Sequence, residues 1–244
     1  QGLLVLDKGA TAPRKLLDDQ TETVHIFEKS RFGPNLIYAL ADHSLLILTV
    51  IDGKWQIKKR IALADLSVDS LIETGPGEIW FSNNYSGPQR WLFNTDSFEI
   101  LDKKEFGKNE GLTLEKDVAQ HVYRLDGKVH VIIADKGYLF DGKKFNPELA
   151  PPFTLVSRPN ELYVTETAMG AYAYTSREMW FRPKAKTEWQ PLRMALSSAA
   201  GYGTVRLNRD GVLRISTWSG ILQYNEKEKS TAPEPLTLSF EYVT

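Results

Sequence analysis

The sequence predicts an all-β fold, a β-propeller of about five four-stranded blades with a partial blade at the N-terminus. Three observations predict it. First, one strand pattern recurs: small or polar, any residue, aliphatic, variable, apolar. It is found at residues 35–39, 77–81, 127–131, 160–164 and 211–215. With the fourth residue of each as a marker (Tyr38, Trp80, His130, Tyr163, Arg214), the steps are 42, 50, 33 and 51, with a mean of 44. A period of about 40–50 residues is the length of one four-stranded blade. Second, residues 212–224 alternate apolar and polar positions on both sides of a break at Ser219-Gly220, the pattern of a half-buried hairpin. Third, 11% aromatic residues, 17 Gly and 12 Pro suit many short strands and turns rather than long helices.

Taken in order, residues 1–22 read as the outer half of a blade. Residues 1–7 align with 219–225, and a Thr-Ala-Pro follows each at a similar remove, at Thr11 and Thr231. The expectation is therefore that the chain starts inside a blade and is a fragment of a larger propeller. The first complete blade spans 24–63, with strands at 24–28, 36–41, 45–51 and 55–61. Asp52-Gly53 is its tight turn, because a type I′ hairpin needs positive φ at both central residues. The second blade spans 68–106, and its inner turn is enlarged to residues 83–90. The third spans 118–149 and contains Asp-Gly hairpins at Asp126 and Asp141. The fourth spans 153–192, with strands at 161–165, 171–174, 179–182 and 189–192. The fifth spans 199–233. Residues 234–244 alternate again, as a last outer strand or as the start of a following β-sandwich. No segment of ten or more residues shows convincing helical periodicity, although 109–121 is ambiguous.

Thirty basic and 31 acidic residues leave a net charge of −1, which gives no footprint for nucleic acid. No apolar run approaches the length of about 20 residues that a spanning helix needs, so no membrane contact is expected within this segment. Cysteine is absent, which excludes disulfides and thiolate metal sites. Radial blades bury both faces of their sheets, and the near-continuous apolar run at 45–51 fits that. Blades also need closure. Their open edges predict either further blades from additional sequence or self-association as a homodimer.

The unit at 210–225 resembles the repeat of the bacterial two-component regulator propellers, roughly Asp-Gly-x-Leu-Trp-Ile-Gly-Thr-x-x-Gly-Leu-x-x-Tyr-Asp. Gly211, Leu213, Ile215, Thr217, Gly220 and Tyr224 match it. Arg214 stands for the usual Trp, Ser216 for Gly and Ile221 for Leu, while residues 77–81 keep the Trp as Trp80. Residues 233–243 are similar to the start of the three-Y domain that follows such propellers. The resemblance implies a ligand-sensing segment on the periplasmic or extracellular side of a membrane-anchored receptor. The output domain would be a histidine kinase or a diguanylate cyclase outside this chain. Some members of that family bind oligosaccharides, but no binding motif carries over residue by residue.

Candidate chemistry is sparse. His121 and His130 flank the Asp126-Gly127 turn. In a two-residue hairpin Tyr123 pairs with His130, which puts both imidazoles on one face. A third metal ligand is missing there, so packed structural histidines are expected and no metal or other cofactor. Asp18, Asp19 and Glu22 share an inter-blade loop, and Ser197-Ser198 opens another. Neither sits in a hydrolytic setting, and the expectation is that the chain is not an enzyme. Gly201 and Gly203 lack the following helix that a phosphate cradle requires. The better candidates lie on the face built by the turns between second and third strands and by the inter-blade loops. They are Asp42, His43, Asn84, Tyr85, Arg90, Asp135, Lys136, Glu166 (with Met169) and Trp218. An aromatic beside amides and charges suits a small polar ligand or an oligosaccharide. Two other readings share the fold: a protein–protein scaffold and a carbohydrate-active enzyme. A flat aromatic-rimmed face would favour the scaffold. Convergent carboxylates in a central pocket would favour the enzyme.

Overall fold

The computed structural model describes residues 3–5, 11–17, 22–63, 67–115, 118–175 and 177–192 in full, and 205–207, 212–217 and 220–225 for the backbone. The predicted fold class holds: the chain is all-β, and its strands form the up-and-down antiparallel sheets of propeller blades. It divides into two compact units, Gln1–Leu149 and Ala150–Thr244.

The first unit opens with a two-stranded sheet, β1 (Leu3–Val5) and β2 (Arg14–Leu17). The first blade follows, with β3 (Val24–Lys29), β4 (Leu36–Ala41), β5 (Ser44–Ile51) and β6 (Lys54–Ala62). The second consists of β7 (Leu71–Gly75), β8 (Glu78–Phe81), β9 (Gln89–Phe93) and β10 (Ile100–Glu105). The third has β11 (Gln120–Leu125), β12 (Lys128–Ile133), β13 (Lys136–Phe140) and β14 (Phe145–Pro147). Each sheet is ordered as its strands occur in the chain, and first strands neighbour one another: β3 lies beside β7, and β7 beside β11.

Side-chain alternation builds the core between sheets. Tyr38, Leu40, Leu45 and Ile47 of the first blade pack on Leu71, Ile79, Phe81, Trp91 and Phe93 of the second. Trp80 points the other way and stacks on Phe106 at 4.8 Å, with Phe140 at 5.0 Å and Phe145 at 6.3 Å. Val122, Val131 and Tyr138 complete that second junction. The opposite face of the first blade receives Leu3 and Leu17 against Ala39, Leu46 and Leu48. Outer strand β6 has alternately exposed and half-buried residues, with Lys54, Gln56, Lys58 and Arg60 exposed.

Turn chemistry follows the sequence closely. Asp52 and Gly53 take φ of 51° and 75°, and Asp126 and Gly127 take 52° and 74°, as a type I′ turn demands. Asp141-Gly142 differs. It opens a four-residue loop between Phe140 and Phe145, where Asp141 Oδ1 accepts from the Lys143 and Lys144 amides. These bonds, and one from Asn146, hold the Asp141 carboxyl down at about 2. A 3₁₀ turn at Lys108–Glu110 occupies part of the ambiguous stretch, and β11 begins at its end.

The second unit contains β15 (Tyr163–Glu166), β16 (Gly170–Tyr174), β17 (Met179–Pro183) and β18 (Gln190–Leu192) in one sheet. A three-stranded sheet follows, with β19 (Val205–Leu207), β20 (Val212–Thr217) and β21 (Gly220–Asn225). Two expectations change here. The predicted fifth blade shows three strands among the described residues, because residues 226–244 lie outside them, as does the proposed sandwich start. The marker Tyr163 is also out of phase. It sits on the first strand of its sheet, whereas the other four markers sit on second strands. The equivalent position is Ala173, in the run that Gly170 opens as Gly77 and Gly127 do. The steps then become 42, 50, 43 and 41.

Candidate functional site

Antiparallel pairing collects three kinds of segment at one end of each blade in the first unit. These are the starts of first strands, the turns between second and third strands, and the ends of fourth strands. Two of those turns are minimal: Asp42-His43 between Ala41 and Ser44, and Ala134-Asp135 between Ile133 and Lys136. The third, between β8 and β9, is residues 82–88, shorter than expected because Gln89 and Arg90 already belong to β9.

That enlarged turn is locked from within. Asn83 is buried, and its Oδ1 accepts from Ser67 N at 3.4 Å and Tyr85 N at 3.2 Å. Its Nδ2 donates to Ser86 Oγ at 2.8 Å, and its carbonyl accepts from Gly87 N at 2.9 Å. Gly87 has φ of 123°, and a Cβ there would meet Phe106 O at 2.5 Å, so only glycine fits. Ser86 Oγ and Gln89 Nε2 both donate to Glu105 Oε2, at 2.9 and 3.0 Å. The result is a fixed backbone that holds Tyr85, 58% exposed, in solvent.

Asn84 is committed to architecture. Its Nδ2 donates to Asp69 Oδ2 at 2.7 Å and Ser67 Oγ at 3.3 Å. Its Oδ1 accepts from Gln120 N at 3.0 Å, across the junction to the third blade. Ser70 Oγ does the same for Val122 N at 2.7 Å. These two bonds cap the edge of first strand β11.

At the first blade, Asp42 accepts from Thr23 N at 2.7 Å and pairs with His25 Nε2. The His25 bond, then the Thr23 amide, holds the Asp42 carboxyl below the usual range. His43 is exposed beside it. Glu22 is buried under the turn, where it accepts from Ser44 Oγ at 2.5 Å, from His43 N at 3.3 Å and from Arg60. It anchors the turn, and Asp18 and Asp19 lie outside the described residues. At the third blade, Lys136 Nζ reaches Glu115 Oε1 at 3.4 Å, beside exposed Asp135.

The remaining candidates go elsewhere. Arg90 lies on β9 and pairs with Asp102 at 3.1 Å and Glu78 at 3.8 Å, so it is a sheet-surface residue. Glu166 ends β15 and Met169 lies in the turn between first and second strands, the opposite edge of a blade from the turns above. Trp218 lies outside the described residues. His121 and His130 share a face as the register predicts, since Tyr123 pairs with His130 and His121 with Ile132. His130 stacks on Tyr123 at 4.9 Å and lies 3.4 Å from Glu148 Oε2. Burial, opposed by Glu148, depresses the His130 pKa.

The fold has counterparts among solved structures. The extracellular domain assigned to the hybrid two-component system BT4673 of B. thetaiotaomicron matches with a TM-score of 0.59 and 13% identity, over 98% of this chain and 32% of that one. The likeness is one of fold: blades of antiparallel sheet are common to both chains. The corresponding domain of BT3049 from the same organism matches this propeller with a TM-score of 0.57 and 13% identity, over 88% of this chain and 30% of that one. PorZ, a surface component of the type-IX secretion system of Porphyromonas gingivalis, gives a TM-score of 0.52 and 14% identity, over 82% and 24%. The propeller thus spans about a third of the length of the BT4673 and BT3049 domains. No protein-family model matches the sequence, and no curated protein does.

Three polar residues of the propeller escaped the sequence reading. Glu73, Gln120 and Asp69 sit on or just before first strands, whose sequences mix polar and apolar residues about equally. Glu73 carried a signal, a carboxylate two positions from Leu71 on the inward side of a strand. Gln120 carried none.

Proposed function

We propose that this propeller is an extracytoplasmic ligand-sensing segment of a signal-transduction receptor, without catalytic activity of its own. One observation carries the reading: an exposed aromatic, Tyr85, stands on an internally locked turn at the blade end where Asp42, His43 and Asp135 also lie. A rigid aromatic with polar neighbours binds a ligand ring at low entropic cost. The fold shared with extracellular domains assigned to two-component systems supports the same direction. The ligand is then a small polar molecule or an oligosaccharide, and the receptor would stand on the periplasmic or extracellular face of a membrane. The scaffold reading has the likeness to PorZ behind it, and self-association would fit either reading.

The test is a thermal-shift screen of oligosaccharides and small polar metabolites, repeated on Tyr85→Ala and His43→Ala. A hit weakened roughly tenfold or more by Tyr85→Ala is expected. A hit indifferent to both substitutions places the site elsewhere. A native gene encoding neither a membrane helix nor an output domain refutes the receptor reading.

A further inference from the structure

Charge is unbalanced on the outer wall of the first blade. Outer strand β6 and its neighbour β2 together hold six basic residues and no acidic one, in a chain whose net charge is −1. They are Arg14, Lys15, Lys54, Lys58, Lys59 and Arg60. Two bonds fix the arginines: Arg14 donates to the Trp55 carbonyl, and Arg60 to Glu22. Lys54 and Lys58 are exposed and Lys59 is half-buried. None of these three lysines has an ion-pair partner among the described residues.

Lysine on a sheet edge also guards against strand addition, but that role does not account for this wall. Lys59 pairs with Ile47 and Ile57 with Leu48, which leaves Lys58 as a bulge that already breaks the edge. Outer strands β14 and β18 are short, contain a proline and carry no charged residue. Outer strand β10 mixes Asp102 and Glu105 with Lys103 and Lys104.

We infer that the wall of β2 and β6 binds an extended anionic polysaccharide, its cations pairing with the carboxylate or sulfate groups of the polymer. Lys54 to Arg60 is roughly 20 Å of strand, so the charges form a row that suits a linear chain. Gln56 is exposed between Lys54 and Lys58, and its amide can serve sugar hydroxyls. Trp55 and Ile57 are turned to the core formed by Leu46 and Leu48, and neither strand exposes a large apolar side chain. The wall therefore offers no wedge for a bilayer and no platform on which nucleobases stack. Like charges held together repel one another in the free chain, and a bound polyanion relieves that repulsion. This surface lies on a different blade from Tyr85, and the inference goes beyond the sensing reading.

The test uses the intact chain and a fluorescently labelled linear oligogalacturonate, with binding read by anisotropy and neutral dextran as competitor. Dextran should not compete, and a fourfold rise in salt should weaken binding roughly tenfold or more. Lys54→Gln, Lys58→Gln and Lys59→Gln together should also weaken it roughly tenfold or more, and the three Lys→Arg changes should keep it. Lys128→Gln, Lys143→Gln and Lys144→Gln together make the same change in net charge on the third blade and should alter binding less than about twofold. No binding, competition by dextran, or equal losses in the two triple Gln variants overturns the inference. So does tighter binding to anionic phospholipid vesicles or to polythymidylate than to oligogalacturonate. Tyr85→Ala should leave binding unchanged. If it abolishes binding instead, the polymer sits at the blade end, and this inference falls while the sensing reading stands.

Discussion

Glu73 ties the first two blades together, and its replacement tests how that junction is held. The carboxylate is 1% exposed and accepts from Ser30 Oγ at 2.9 Å, Arg31 N at 2.7 Å and Tyr38 OH at 3.2 Å. Burial outweighs these bonds and raises its pKa, and burial next to Glu73 pushes the Tyr38 hydroxyl up as well. Glu73→Ala strands the donors. The Ser30 hydroxyl can turn elsewhere, but the Tyr38 hydroxyl and the Arg31 amide stay without acceptors. At about 1–3 kcal/mol for each orphaned donor, the expected loss is about 2–6 kcal/mol. Glu73→Gln keeps an oxygen for Arg31 N and offers its amide to the Tyr38 hydroxyl, while Ser30 Oγ already accepts from Phe32 N and Gly33 N, so it should cost about 1–2 kcal/mol at neutral pH, less than Glu73→Ala. The pH dependence has a definite sign. With a native pKa above the ordinary 4.5, the folded state binds more protons than the unfolded state between those two values. Stability present below 4.5 is therefore lost as pH rises through the native pKa, and Glu73→Gln lacks that loss. Urea unfolding read by tryptophan fluorescence at several pH values measures all three quantities. If Glu73→Gln destabilises as much as Glu73→Ala, or wild type and Glu73→Gln run parallel in pH, the reasoning is wrong.

Three further outcomes are expected. Trp80→Ala should destabilise by about 3–5 kcal/mol in urea, because it empties the aromatic cluster between the second and third blades. Gly87→Ala should lose at least about 2 kcal/mol through its positive φ and the clash with Phe106 O, whereas Gly53→Ala, with open space around it, should lose about 1 kcal/mol; paired denaturation curves decide. His130→Phe keeps the stack on Tyr123. With its native pKa depressed below 6.5, wild type should lose stability relative to this variant as pH falls through the native pKa, measurable by melting temperature against pH.

The fold was legible wherever local chemistry decides it. Asp52-Gly53 and Asp126-Gly127 announce their turns, and the apolar runs of β5 and β12 announce buried strands. The phase of the repeat was harder. Residues 160–164 carry the pattern of a second strand, yet Gly170 supplies the turn that defines the true one. A single pentapeptide cannot distinguish neighbouring strands of one blade. The site was half legible. Tyr85 and the Asp42-His43 turn follow from hairpin counting. Asn84 and Arg90 were read as free polar groups, but their partners, Gln120 N and Asp102, become neighbours only through packing and register.

The two junctions between the three blades of the first unit have different polar locks. Glu73 reaches back to Ser30 and Tyr38 at one, and Asn84 and Ser70 reach forward to the amides of β11 at the next. Repeat stability is a sum of unit and nearest-neighbour terms, and here the neighbour terms are not alike. The blades are therefore not interchangeable cassettes. A recombinant that places the third blade directly after the first would carry two backbone amides with no acceptor and a Tyr38 with no carboxylate. A rearrangement that keeps these bonds has to move both partners of a junction together, so the unit that must stay intact is the junction and not the sheet.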